Sequence, residues 1–317
     1  MIARFLPDVP AWPQLPERSF LENMYVQFSE GFPGVVVEDD RIYVDRTRDL
    51  DEPLERLYAT YLDNAFEECA FGPDYAAGFY AFLDTPLTPL AVKGQVTGPV
   101  SWGLTVTDQD RRSVLYDETL ADAAAKLLRL KASWQEMKLR ELSPNTIIFV
   151  DEPYMDSFGS AYVPISRQQV IDLLEEVFGG ISGPKGIHCC GNTDWSVVLS
   201  SSLDVLSFDA YDYGHTVALF PAEVKAFVER GGVLAWGIVP NQDTELGDET
   251  AASLIDRLDE HIGSLDRQGV SYRLQAEQSL LTPACGLASL SPEGAAFALE
   301  LLSDVAREFR KRYIKEG

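Results

Sequence analysis

The chain has 317 residues, 46% hydrophobic, 24% charged and 11% aromatic, a globular profile that excludes collagen, coiled coil and wholesale disorder. Asp and Glu number 50 against 26 Lys and Arg, for a formal charge of −24. The basic footprint of a nucleic-acid binder is missing, so no nucleic-acid partner is expected. With 4 Cys and 3 His, there are too few cysteines for a disulfide framework, and a reducing cytoplasm is the expected compartment.

The first residues are proline-rich and show no apolar signal-peptide core, and no run of 18 apolar residues predicts a membrane span. Residues 1–50 read as an irregular N-terminal extension. Within it Val35-Val36-Val37 and Ile42-Tyr43-Val44 flank Glu38-Asp39-Asp40-Arg41, the pattern of a β-hairpin. Cys69 falls on a helical stretch, residues 63–71, as core filler.

From about residue 85 short β-branched runs alternate with helical stretches. Leu90-Ala91-Val92-Lys93 is the first strand. The helix after it aligns Leu120, Ala124, Leu127, Leu130, Trp134 and Met137 on one face. Thr146-Ile147-Ile148-Phe149-Val150 is the second strand, and Ser166 with Gln169 predicts a capping box at the next helix. Further strands follow at residues 186–191, 204–208, 233–239 and 279–282. Between them lie helices carrying Val224, Phe227 and Val228, and then Leu254, Leu258 and Ile262. A last helix begins near Ser291-Pro292.

Near-continuous apolar strands between helices predict a parallel sheet covered on both faces. Six such units, with room for two earlier ones, predict a single-domain (β/α)8 TIM barrel spanning residues 1–317, with a doubly wound sheet as the alternative. A barrel places its chemistry at the C-terminal strand ends. Those ends carry Lys93, Asp151, Glu152, His188, Cys190, Asp209, Asn241 and Cys285.

Along a strand, residues i and i+2 share a face, so His188 and Cys190 point together and Cys189 points away. Cys285 and Asp209 arrive from later strand ends. One imidazole, two thiolates and a carboxylate form a zinc ligand set, although cysteines at a strand end also serve as small hydrophobes. His261 reads as a helix-face residue, and His215 as part of a Tyr-Asp-Tyr-Gly-His loop.

Four ordered motifs resemble a known family. Gly94-Gln95-Val96-Thr97-Gly98-Pro99 is similar to the Gly-Pro motif shared by uroporphyrinogen decarboxylases and cobalamin-independent methionine synthases. Val150-Asp151-Glu152-Pro153 resembles the aspartate-glutamate-proline motif of the synthases. His188-Cys189-Cys190-Gly191-Asn192 resembles the histidine-x-cysteine motif of the zinc methyltransferases, its glycine and asparagine being most like the corrinoid-dependent thiol methyltransferases. Pro283-Ala284-Cys285-Gly286-Leu287 resembles the distal cysteine motif of both.

The resemblance implies zinc held by His188, Cys190 and Cys285, with Asp209 where the synthases have a ligand glutamate. Asp151 falls where the family holds the amino group of homocysteine, Glu152 stands beside it in the substrate-binding motif, and Glu30 would be an earlier acidic partner. The implied activity is methyl transfer to the thiol of homocysteine, forming methionine.

The family's histidine acid is missing from Pro240-Asn241-Gln242-Asp243-Thr244, and its pterin-facing tryptophan would fall near Thr105. A folate leaving group needs a proton and a corrinoid does not. A methylcorrinoid donor, carried by a corrinoid protein, is therefore expected. Other readings are coenzyme M or another small thiol as acceptor, a metal-free porphyrin decarboxylase, and a non-catalytic zinc- or corrinoid-binding partner. The decarboxylase reading is disfavoured because residues 1–20 carry only Arg4 and Arg18.

Overall fold

The β-branched runs are strands in the protein's structure, a computed structural model that describes residues 1–160 and 163–314. By its contacts the chain divides into two compact units. One is formed by Pro7–Tyr154 and Pro164–Lys185, the other by Met1–Leu6, Met155–Val163 and Gly186–Gly317.

The first unit opens with the expected hairpin: β1 (Val35–Val37) pairs antiparallel with β2 (Ile42–Val44), Val35 facing Val44. A two-residue strand, β4 (Thr107–Asp108), adds to β2 in parallel. The main strands here are β3 (Val92–Thr97) and β5 (Thr146–Asp151), paired in parallel with Val92 opposite Thr146 and Thr97 opposite Asp151. β3 extends further than the sequence indicated. Lys93 is therefore its second residue and not a strand-end group, and its ammonium lies 4.7 Å from the Phe149 ring centroid.

The 22-residue helix Glu118–Leu139 begins at Asp117, whose carboxylate accepts the N–H groups of Thr119 and Leu120. It buries more than the apolar stripe that its periodicity defines, because Lys131, Gln135 and Glu136 are buried as well. Gln135 acts as a side-chain extension of the sheet. Its Oε1 accepts Gln95 N–H and its Nε2 donates to Gln95 O, both at 2.8 Å, while Trp12 Nε1 also donates to Oε1. Glu136 accepts from Thr146 Oγ1 and from the N–H groups of Ser182 and Gly183. Buried polar groups are thus matched to backbone donors and acceptors. The helix Arg167–Phe178 carries the expected Ser166–Gln169 capping box.

The second unit is built on four parallel strands in the order β6 (Lys185–Cys189), β7 (Val205–Asp209), β8 (Val233–Val239) and β9 (Ser279–Pro283). β7 is buried throughout, and β8 nearly so, as apolar runs covered on both faces require. The covering helices include Pro221–Glu229, Ala251–Asp266 and Pro292–Tyr313. The chain after Asp209 is also helical, Ala210–Val217, so His215 lies on a helix and not in a loop. The Asp209 carboxylate caps that helix by accepting Asp212 N–H.

The described residues thus contain six parallel strands alternating with helices, not the eight of a closed (β/α)8 barrel. The two missing strands were expected before residue 85. That stretch instead holds the three-residue hairpin strands and the helices Asp51–Leu62 and Ala77–Leu83. Among the described residues no helix is long and apolar enough to cross a membrane.

Candidate metal centre

β6 ends in His188 and Cys189, and Cys190 follows directly. Alternation sends Cys189 into the packing, where it is fully buried and its thiol donates to Gly191 O at 3.5 Å. His188 and Cys190 share the other side. Cys285 joins them from beyond β9, and one ligand atom from each of these three residues lies within 4.8 Å of the others.

That proximity is demanding. Neighbouring strands stand ~4.8 Å apart, so β6 and β9, with two strands between them, would be ~14 Å apart in a flat sheet. Sheet curvature and the strand-end segments close the gap. Gly237 on β8 makes room: a Cβ there would sit 2.5 Å from Phe208 O and 2.9 Å from Ala284 Cα. The pairing shifts between Gly237 and Val239, and Ala284 N–H then donates to Val239 O at 2.8 Å. Asn241, expected as a strand-end functional group, ties the same loop. Its Nδ2 donates to Gly286 O, and its own carbonyl accepts from Ser289 Oγ. Gly191 is equally constrained, since a Cβ there would meet Asp156 Cβ at 2.6 Å.

The electrostatics suit a cation. A hydrogen bond from Cys190, and then His188, hold the Cys285 thiol well below the usual thiol range, against burial, which opposes ionisation. Cys190 is raised in turn, because its proton is shared with Cys285 and the site is partly buried. Burial raises Asp209 to about 6, partly offset by Asp212 N–H, with the Cys285 charge adding to the rise. The mutually close group comprises His188, Cys190 and Cys285. Asp209 stands within electrostatic reach of Cys285 with its carboxylate engaged as a helix cap.

Two sulfurs and one imidazole nitrogen form a borderline-soft donor set that leaves a fourth tetrahedral position open. That is the pattern of a catalytic zinc site, where ~2.0–2.3 Å bonds would require only a small contraction of this group. The residues present therefore fit zinc.

The other expected site residues belong to the first unit. Asp151 ends β5 opposite Thr97. Glu152 is completely buried and accepts Val100 N–H at 2.9 Å and Ser101 N–H at 2.7 Å. Burial raises it to about 7 in spite of those bonds. Glu30 accepts Gly72 N–H at 2.7 Å and faces the charge of the buried Lys131. Both glutamates have structural partners that sequence did not reveal.

Cys69 is buried as expected. His261 stacks on Trp236 at 6.4 Å and 4°, a packing role. His215 is exposed. Sequence reasoning passed over Ser207, whose Oγ lies 3.0 Å from Nδ1 of His188. The available signal was a lone hydroxyl in the apolar run Val205-Leu206-Ser207-Phe208.

The chain matches no protein-family model, and no curated protein is similar enough in sequence to match it. Solved structures do share its fold. A B12-independent methionine synthase from Shewanella sp. W3-18-1, in complex with selenomethionine, superposes with a TM-score of 0.53 at 20% identity, covering 88% of this chain and 75% of that one. A methyltransferase from Methanosarcina mazei gives a TM-score of 0.55 at 13% identity, covering 98% and 82%. At these identities the likeness is one of fold.

Proposed function

We propose that the protein is a zinc-dependent methyltransferase that methylates the thiol of homocysteine, with a methylcorrinoid as donor. The observation that carries this reading is the convergence of His188, Cys190 and Cys285 from β6 and from beyond β9, with β7 and β8 lying between those strands. The fold shared with a methionine synthase and a methyltransferase supports the reaction class.

In this reading His188, Cys190 and Cys285 hold the ion, and Asp209 supplies the neighbouring carboxylate. Bound zinc would act as a Lewis acid that makes a substrate thiol ionise near neutral pH. The thiolate is the nucleophile in any transfer to sulfur. Cys190 and Cys285 surround that sulfur with negative charge and preserve its nucleophilicity, whereas a neutral three-histidine set favours water activation. Asp151 receives the ammonium group of an amino-acid acceptor, with Glu30 as a further acidic group. Glu152 holds the segment that follows Gly98 in place. A corrinoid leaves without a proton, so the absence of a histidine acid in residues 240–244 is no obstacle.

The test is metal analysis under reducing conditions, followed by transfer assays to homocysteine. One zinc per chain in wild type and little in Cys285→Ser is expected. Methylcobalamin should support turnover. Wild type without stoichiometric zinc, or turnover with methyltetrahydrofolate alone, overturns the respective half of the proposal. Preference for a thiol lacking an amino group would move the acceptor to coenzyme M or a similar small thiol.

A further inference from the structure

We propose that Ser207 is the positioning residue of the metal centre: its hydroxyl holds Nδ1 of His188 and so turns Nε2 toward the ion. The inference rests on the zinc reading above and adds to it a residue outside the ligand set.

His188 on β6 and Ser207 on β7 are direct cross-strand partners, and Ser207 Oγ lies 3.0 Å from His188 Nδ1. A neutral imidazole that binds a metal through one nitrogen carries its proton on the other, and that N–H needs an acceptor. The Ser207 hydroxyl oxygen is placed to be that acceptor. Ser207 is only 5% exposed. Its strand neighbours Leu206 and Phe208 are apolar, and its partner on the other side is Ala235. A buried hydroxyl among apolar side chains is costly unless it is hydrogen-bonded, and the imidazole of His188 meets that need. The contact also fixes the ring plane without adding charge, unlike the carboxylates that often fill this role. The net charge of the donor set is therefore left to the two cysteines.

The experiment compares zinc and cobalt(II) binding to full-length wild type, Ser207→Ala and Ser207→Thr, by competition with a chromophoric chelator. The cobalt absorption spectrum and the melting temperature of the metal-free proteins are recorded alongside. Loss of an outer-sphere partner weakens metal binding ~10–100-fold, and Ser207→Ala should fall in that range. Its thiolate-to-cobalt band should persist while the ligand-field bands shift. Ser207→Thr, which keeps the hydroxyl, should bind within a few-fold of wild type. The metal-free proteins should melt together, because a merely structural serine would move the melting temperature and not the cobalt spectrum.

Wild-type affinity and spectrum in Ser207→Ala overturn this inference and leave the zinc reading standing. A weakened Ser207→Ala that Ser207→Thr fails to restore also overturns it, provided that the metal-free Ser207→Thr melts as wild type does. Wild type that binds neither ion overturns both.

Discussion

Gly98 and Glu152 are in such close contact that a Cβ on Gly98 would lie 2.2 Å from the Glu152 carboxyl carbon. The Gly-Pro and aspartate-glutamate-proline motifs are thus two halves of one packed contact. Overpacking a rigid interior costs ~1–3 kcal/mol, and here the obstacle is a carboxylate pinned by two backbone N–H groups. Gly98→Ala should therefore destabilise the protein by at least about 2 kcal/mol in denaturant unfolding. A change within ~0.5 kcal/mol, the range of a neutral surface substitution, would contradict the contact.

Glu152 also makes stability depend on pH. Its ordinary value of 4.5 rises to about 7 in the fold, so the folded state takes up a proton more readily than the unfolded state. The associated stability is fully present below about 4.5 and is lost as pH rises through 7, by ~3 kcal/mol at 1.36 kcal/mol per pH unit. Unfolding free energies measured from pH 4.5 to 7 should show this decline, and Glu152→Gln should flatten it. Gln should also destabilise the protein by ~1–3 kcal/mol at pH 5, because its amide N–H₂ would face a backbone donor.

Lys131 works in the opposite direction. Complete burial lowers its ammonium from 10.5 to about 8, against the attraction of Glu30 and then Cys69. Below pH 8 both the folded and unfolded states are protonated and the fold bears the whole penalty. Stability then recovers as pH rises from 8 to 10.5. Lys131→Met should stabilise the protein at pH 7 by up to ~3 kcal/mol, a gain that shrinks through that window. A less stable Lys131→Met at pH 7 would show that the attraction to Glu30 outweighs burial.

Gly237 links backbone space to the metal group. Gly237→Ala would push against Phe208 O and Ala284 Cα and displace the segment that carries Cys285. Zinc affinity should fall by ~10-fold or more, the scale on which misplaced ligands and their supports are felt. Unchanged affinity, measured by chelator competition, would mean that the Cys285 loop adjusts freely.

Periodicity carried most of the local structure. The hairpin, the long helix from Glu118, the Ser166 capping box and the strands that bear His188 and Asp209 all follow from apolar spacing and cap residues. Strand count did not follow, because three-residue β-branched runs are hairpin strands as readily as barrel strands. Within the site, the i, i+2 rule separated Cys190 from Cys189 correctly. The partners of Glu152 and Glu30 stayed hidden because they are backbone N–H groups, which every residue except proline possesses. Ser207 stayed hidden because a hydroxyl in an apolar strand gives no sign of what lies opposite.

β7 and β8 lie between the strand that delivers His188 and Cys190 and the strand that precedes Cys285. During synthesis the first two donors emerge long before the third, and their native proximity to it requires the strand order in which β7 and β8 intervene. Metal uptake by all three would therefore time the completion of the sheet. A chain stalled before residue 285 would bind an ion only through the loose two-donor fragment, which a competing chelator strips easily.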